Sequence, residues 1–242
     1  MGVRGLIGAL RRICRGDELR EVTVKEMQGE TIAVDAMNLL FYMAARGPLE
    51  EEIDRFCRHL RVNEMRAACV FDSSRLSPER RQRATVRRRQ RHDALSELAR
   101  LEEAHGPVVP FYARRRQTML RSRTVKVAPE AVRAAQTQMA NSGVCTVWMA
   151  PDEADGICVD LVKSGAAYAC LSNDSDMFVR GCPRVLREYK SVDGAFEIWD
   201  FASMLGTLGM EGEAFAGICS AASAAGHTHD QLHTALTAGG GR

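Results

Sequence analysis

The sequence predicts an α/β fold with a parallel central sheet flanked by helices, and three observations carry that expectation. Four short apolar runs read as strands: TIAV at 31–34, AACVF at 67–71, VCTVWM at 144–149 and AAYACL at 166–171. Each is bounded by polar or turn residues, and two are almost wholly apolar, as strands covered on both faces are. Helical stretches lie between them. PLEEEIDRFCRHLR (48–61) sets Leu49, Ile53, Phe56 and Leu60 on one stripe. PEAVRAAQTQMANSG (129–143) opens with proline and stops at glycine, and DEADGICVDLVKSG (152–165) also ends at glycine. Strand and helix in alternation imply parallel strands joined by right-handed crossovers. Finally, every strand-like run ends at a carboxylate: Asp35, Asp72, Glu153 with Asp155, and Asp174 with Asp176.

Length and composition bound the rest. A chain of 242 residues suits one generous α/β domain, and 45% hydrophobic with 26% charged residues is the balance of a soluble globular protein. No apolar run spans a membrane. The opening MGVRGLIGALRRICRGDEL has too short an apolar run for a signal peptide, and Leu6 stands where myristoylation needs Ser or Thr. The eight cysteines form no CxxC pair, and Cys69, Cys158 and Cys170 lie in apolar surroundings. They read as reduced core thiols, which predicts an intracellular protein that is not secreted.

In an open parallel sheet, ligands bind beyond the C-terminal strand ends. Any one of the acids, taken alone, reads as an ordinary helix cap or turn residue. Six of them converging on one spot repel, and such groups either raise each other's pKa or bind cations. A donor set made only of oxygen favours Mg²⁺ or Mn²⁺ over zinc. Two such ions about 4 Å apart suit in-line attack on a phosphodiester.

A second feature is the basic segment 77–106. Ser77-Pro78-Glu79 is a helix start, followed by Arg80, Arg81, Arg83, Arg87, Arg88, Arg89 and Arg91 with almost no acids. Arg114, Arg115, Arg116, Arg121, Arg123 and Lys126 come later. A charge run is commonly a solvated helix face. Here the first half carries one sign only, which points to phosphate contact next to Asp72.

These stretches together resemble the flap endonuclease family of structure-specific 5′ nucleases, which share a PIN-like core and include the herpesvirus virion host shutoff branch. MGVRGL, TIAVDAMNLLFYM, CVFD and RTVKVAPEAV match in the family's order, and APDEADGICVDLVKSGAAYACLSNDSDMFVRG matches its internal nuclease motif. The resemblance spans roughly residues 1 to 215. It implies a PIN-like nuclease domain over that range, with an N-terminal region 1–105, an arch at about 75–125 and an internal region 126–215. It also implies that Asp35, Asp72, Glu153 and Asp155 ligate a first metal region, and Asp174 and Asp176 a second. Arg80 and Arg87, seven apart, match two basic arch residues that act on the scissile phosphate. Phe41 falls where the family keeps a base-stacking aromatic, although core packing explains an aromatic there equally well. Gly2 matches a residue close to the active site, and the one-signed charge run makes Arg81, Arg83, Arg88, Arg89 and Arg91 candidate nucleic-acid contacts.

The match fails after Phe215. Ala225 stands where the family has a further metal-binding Asp, with Asp230, His227 or His229 as displaced substitutes, and the helix–turn–helix that grips duplex DNA is absent. Residues 216–242 read as a degenerate tail, a weak helix and then a frayed end. The expectation is a two-metal phosphodiesterase acting on DNA in replication, repair or recombination, placed in the nucleus or at other sites of nucleic-acid processing, with a protein partner supplying duplex grip. An RNA endonuclease of the shutoff type, a nucleic-acid-binding relative that has lost catalysis and a regulatory subunit remain as alternatives.

Overall fold

The computed structural model describes residues 3–73, 78–106 and 110–240. The chain opens with α1 (Leu6–Ile13) and β1 (Leu19–Thr23), makes a 3₁₀ turn at Val24–Met27 and enters β2 (Thr31–Asp35). Then follow α2 (Ala36–Ala44), α3 (Leu49–Val62) and β3 (Arg66–Phe71). A helical hairpin comes next, α4 (Pro78–His105) and α5 (Phe111–Thr124), before α6 (Pro129–Asn141), β4 (Cys145–Met149) and α7 (Ala154–Lys163). After β5 (Ala169–Leu171) come α8 (Asp176–Val179), β6 (Arg184–Lys190), β7 (Ala195–Asp200), α9 (Phe201–Leu208), α10 (Gly212–Ala225) and α11 (His229–Gly239).

The strands form one seven-stranded sheet in the order β1-β7-β6-β5-β2-β3-β4. The five strands from β6 to β4 are parallel, as expected, while β7 and β1 add an antiparallel edge that the sequence pattern does not announce. Ile32, Ala33 and Val34 of β2 are fully buried at the centre. Their side chains alternate between two apolar clusters, Ile32 and Val34 in one and Ala33 in the other, so the sheet is covered on both faces.

Three of the expected strands and all three expected helices lie within two residues of their predicted positions. The run at 166–171 is shorter than expected. Ala167 donates its N–H back to Leu161, closing the turn after α7, and Tyr168 donates to Thr31, so only Ala169–Leu171 remain as strand. The Arg-rich insertion is helical throughout its described part, with α4 and α5 packed through Ala94, Ala113 and Leu120.

The frayed end is corrected. Residues 212–239 form two capped helices, and Phe215, Cys219, Leu232 and Leu236 are fully buried in the same cluster as α1. Helix α11 lies close against α1 because α1 presents glycine there: a Cβ on Gly8 would sit 2.5 Å from His229 Cδ2. Among the described residues no helix is long and apolar enough to cross a membrane.

Candidate active site

The strands that carry the expected acids, β5, β2, β3 and β4, are consecutive neighbours in the sheet. Their C-terminal ends therefore lie side by side, as the crevice argument requires. Asp35 is the last residue of β2 and caps α2. Its Oδ1 accepts from the Asn38 N–H at 3.1 Å and its Oδ2 from the Ser172 hydroxyl at 3.0 Å. Only 7% of Asp35 is exposed. Burial first, and then the negative charge of Asp155, push its carboxyl up to about 7.

Asp72 follows β3 and accepts the N–H of Ala154 at 3.0 Å, at the start of α7. Glu153 and Asp155 flank that residue, and both face Arg180, whose Nη2 lies 3.3 Å from Glu153 Oε2 and 3.9 Å from Asp155 Oδ2. Asp155 is pushed up to about 6 by burial and then by Asp174, with Arg180 opposing. Asp174 takes the Asp176 N–H on Oδ1 at 3.1 Å, so the turn geometry of NDSD is real. Asp176 is also raised, by burial and then by Asp174. All six acids therefore act on one another: Asp72 on Asp35 and Asp155, Glu153 on Asp155, and Asp174 on Asp155 and Asp176.

Among the described residues, no three acidic, histidine or cysteine side chains close into a set that cages an ion as it stands. Ser172, Asn38, the Ala154 amide and Arg180 each engage a carboxylate, and these contacts offset the charge that a cation would neutralise. An oxygen-only donor set still fits a hard divalent cation.

Three residues of the site escaped the sequence reading. Ser172, 1% exposed, donates to Asp35 and accepts the Asp174 N–H at 3.1 Å, linking two strand ends. Asn38 accepts the Asn173 N–H at 2.9 Å. Arg180 is the local counter-charge. No spacing rule finds these, because each acts across strands; a Ser or Asn beside a strand-end Asp is the available signal.

Phe41 on α2 is 40% exposed, so the core-packing explanation for it fails. Arg88 and Arg89 are exposed and Arg91 is half-buried on α4. Arg80, Arg81, Arg83 and Arg87 lie on the same helix, but their side chains, like the whole of Gly2, fall outside the described residues. Further along, the hairpin pairs its charges internally, Arg116 with Glu97 and Arg121 with Glu102.

Two of the C-terminal substitutes are engaged elsewhere. Asp230 pairs with Arg12 at 2.8 Å, and His229 packs on α1. Ala225 is the exposed last residue of α10. That helix instead meets the field of Asp176 through Cys219, whose thiol is pushed up to about 12 by burial and then by Asp176.

Comparison with known proteins agrees with this geometry. The XPG I-region family model matches residues 145–224, from β4 through α10. Several curated flap endonucleases and exonucleases are similar to this chain in sequence. Among these relatives, flap endonuclease 1 of Babesia bovis is 26% identical over 239 residues, covering 90% of this chain and 34% of its own length. Exonuclease 1 of Danio rerio is 27% identical over 209 residues, covering 82% and 24% respectively. The chain thus spans only part of the curated 5′ nucleases it matches. Among solved structures, flap endonuclease-1 from Methanococcus jannaschii aligns with TM-score 0.61 at 16% identity, over 93% of this chain and 76% of that one. The catalytic core of Rad2 in complex with DNA substrate aligns with TM-score 0.59 at 17% identity, over 90% and 60%. These similarities show the shared fold. The family match also runs past Phe215, where the resemblance in sequence was expected to stop.

Proposed function

We propose that this chain is a divalent-metal-dependent, structure-specific nuclease that hydrolyses phosphodiester bonds in DNA. The observation that carries the reading is the convergence of six mutually repelling carboxylates at the C-terminal ends of four adjacent parallel strands. Asp35, Asp72, Glu153 and Asp155 would hold one Mg²⁺ or Mn²⁺, and Asp174 and Asp176 a second. Such ions supply the positive charge that an in-line displacement at phosphorus needs.

The protein's own residues do the rest. Ser172 and Asn38 orient Asp35, and Asp72 fixes the start of α7, which aims Asp155. Positions 80 and 87 are two turns apart on α4, hence on one face of it, and their arginines would neutralise the phosphate oxygens. Exposed Arg88 and Arg89, with Arg91, would follow the backbone, and Phe41 would stack on a base. A partner protein would supply grip on the duplex. Eight unpaired, buried cysteines support placement in a reducing compartment, with the nucleus as the specific proposal.

Relatives described with DNA substrate or Holliday junction DNA favour the DNA reading, and none of the comparisons supports the RNA alternative. Ala225 favours a second reading, a DNA binder without catalysis. A labelled 5′-flap DNA, a single-stranded DNA and a structured RNA, each with Mg²⁺ and Mn²⁺, separate these. Flap cleavage lost on Asp174→Ala and Asp176→Ala supports the proposal. Binding without cleavage in every case supports the second reading.

A further inference from the structure

We propose that Cys57 and Cys145 form a reversible disulfide under peroxide, a modification site separate from the acidic cluster. Cys57 lies on α3 and Cys145 is the first residue of β4, with their sulfurs 3.9 Å apart. A disulfide needs about 2.05 Å, so forming it requires a closure of about 2 Å between the sulfurs. Both thiols are buried, at 4% and 8% exposure. Cys57 nevertheless lines a cavity of about 370 Å³ whose wall includes Arg58, Arg61, Gln138 and Ser142. That volume is large enough for a small oxidant, with Cys57 in its wall. The wall is also basic and polar there: Arg61 donates to the Ser142 carbonyl at 2.7 Å, and both residues offset only part of the upward push that Cys145 and burial exert on the Cys57 thiol.

The chemistry balances with one peroxide. The Cys57 thiolate attacks a peroxide oxygen, the O–O bond breaks, and hydroxide leaves to become water, giving a sulfenic acid. The Cys145 thiolate then attacks that sulfur, forming the S–S bond and expelling the sulfenic oxygen as a second water. Two thiols are oxidised and one peroxide is reduced to two waters. The reaction is slow at neutral pH. Cys57 is raised by its contact with Cys145 and by burial, and Cys145 is pushed up to about 12: contact with Cys57 favours its thiolate, but Cys69 and burial outweigh that.

The bond would join the helical layer to the edge strand that leads directly into Glu153 and Asp155. It would also close a loop containing the whole α4–α5 hairpin.

The test uses the full chain, treated with hydrogen peroxide or with buffer alone, quenched with catalase, alkylated in denaturant and mapped by mass spectrometry without reductant. The expected result is a peptide pair joined through Cys57 and Cys145 that separates on reduction. Cys57→Ser and Cys145→Ser each lose the pair, and Cys69→Ser keeps it. The wild-type map alone is decisive if a variant fails to fold. Full alkylation of both cysteines after treatment overturns the proposal, as does over-oxidised Cys57 beside alkylated Cys145. A Cys69–Cys145 link overturns it too, and so does stoichiometric zinc in the isolated protein that Cys57→Ser abolishes.

Discussion

The Asp72 carboxylate accepts the backbone N–H of Ala154 at 3.0 Å, so the acid ending one strand caps the helix that carries two others. This gives Asp72 two separable roles. Asp72→Ala should cost about 1 kcal/mol of stability through the lost cap. Asp72→Asn keeps an acceptor oxygen and should stay near wild type in urea denaturation. Both variants should lose divalent-dependent cleavage at least about 100-fold, since both remove the charge. Equal stability losses in the two variants would show that the cap contributes nothing.

Acidity in the cluster makes metal-free stability depend on pH. Asp35 and Asp155 have an ordinary value of 3.8 and are raised to about 7 and about 6. Folding therefore favours their protonated forms. Their stabilising contribution is complete below about pH 4 and is lost as the pH rises through 6 to 7. In chelator, Tm should fall between about pH 5 and pH 8, and Asp35→Asn should flatten that decline. Added Mg²⁺ or Mn²⁺ should restore Tm on the alkaline side. A metal-free Tm that climbs over this interval would refute the electrostatic picture.

Phe41 presents an exposed ring beside the acids' helix α2. Phe41→Ala should change folding stability by less than about 0.5 kcal/mol. It should weaken binding of single-stranded or flap DNA by about tenfold, the scale of one lost base stack, while Phe41→Trp preserves it. Unchanged affinity in a fluorescence-anisotropy titration would remove Phe41 from the interface.

Arg180 bridges Glu153 and Asp155 in place of a cation. Arg180→Gln should lower Tm in chelator, because the two acids then face each other unscreened. The same change should enlarge the Tm rise that saturating Mn²⁺ produces. A smaller rise in the variant would mean that Arg180 assists metal binding instead of competing with it.

Much of the site was legible because buried parallel strands leave a strong mark: a short apolar run, an acid at its end and a helix after it. β2 and β3 show this well. β1 and β6 were not legible, because LREVT and RVLREYK mix charges with apolar residues and carry no clean alternation. Arg187, 5% exposed within β6, shows how far that strand departs from pattern. Exposure of Phe41 was undecidable from AMNLLFYMA, which is apolar on nearly every face of the helix. Helix α11 was missed because its apolar anchors are only Leu232 and Leu236, and its fit depends on glycines near the opposite end of the chain.

That last packing has a temporal side. Synthesis proceeds from the N-terminus, and domains tend to fold as units once their chain has emerged. α1 leaves the ribosome early, yet the His229 surface that its glycines are shaped to receive comes close to the end of the described chain. Contacts between such distant segments slow folding, since loop closure must precede their reward. Until α11 arrives, the apolar side of α1 formed by Leu6, Ala9 and Leu10 lacks part of its cover. The nascent chain thus holds its central strands before α11 covers α1, and chaperone engagement during translation would fall on that interval.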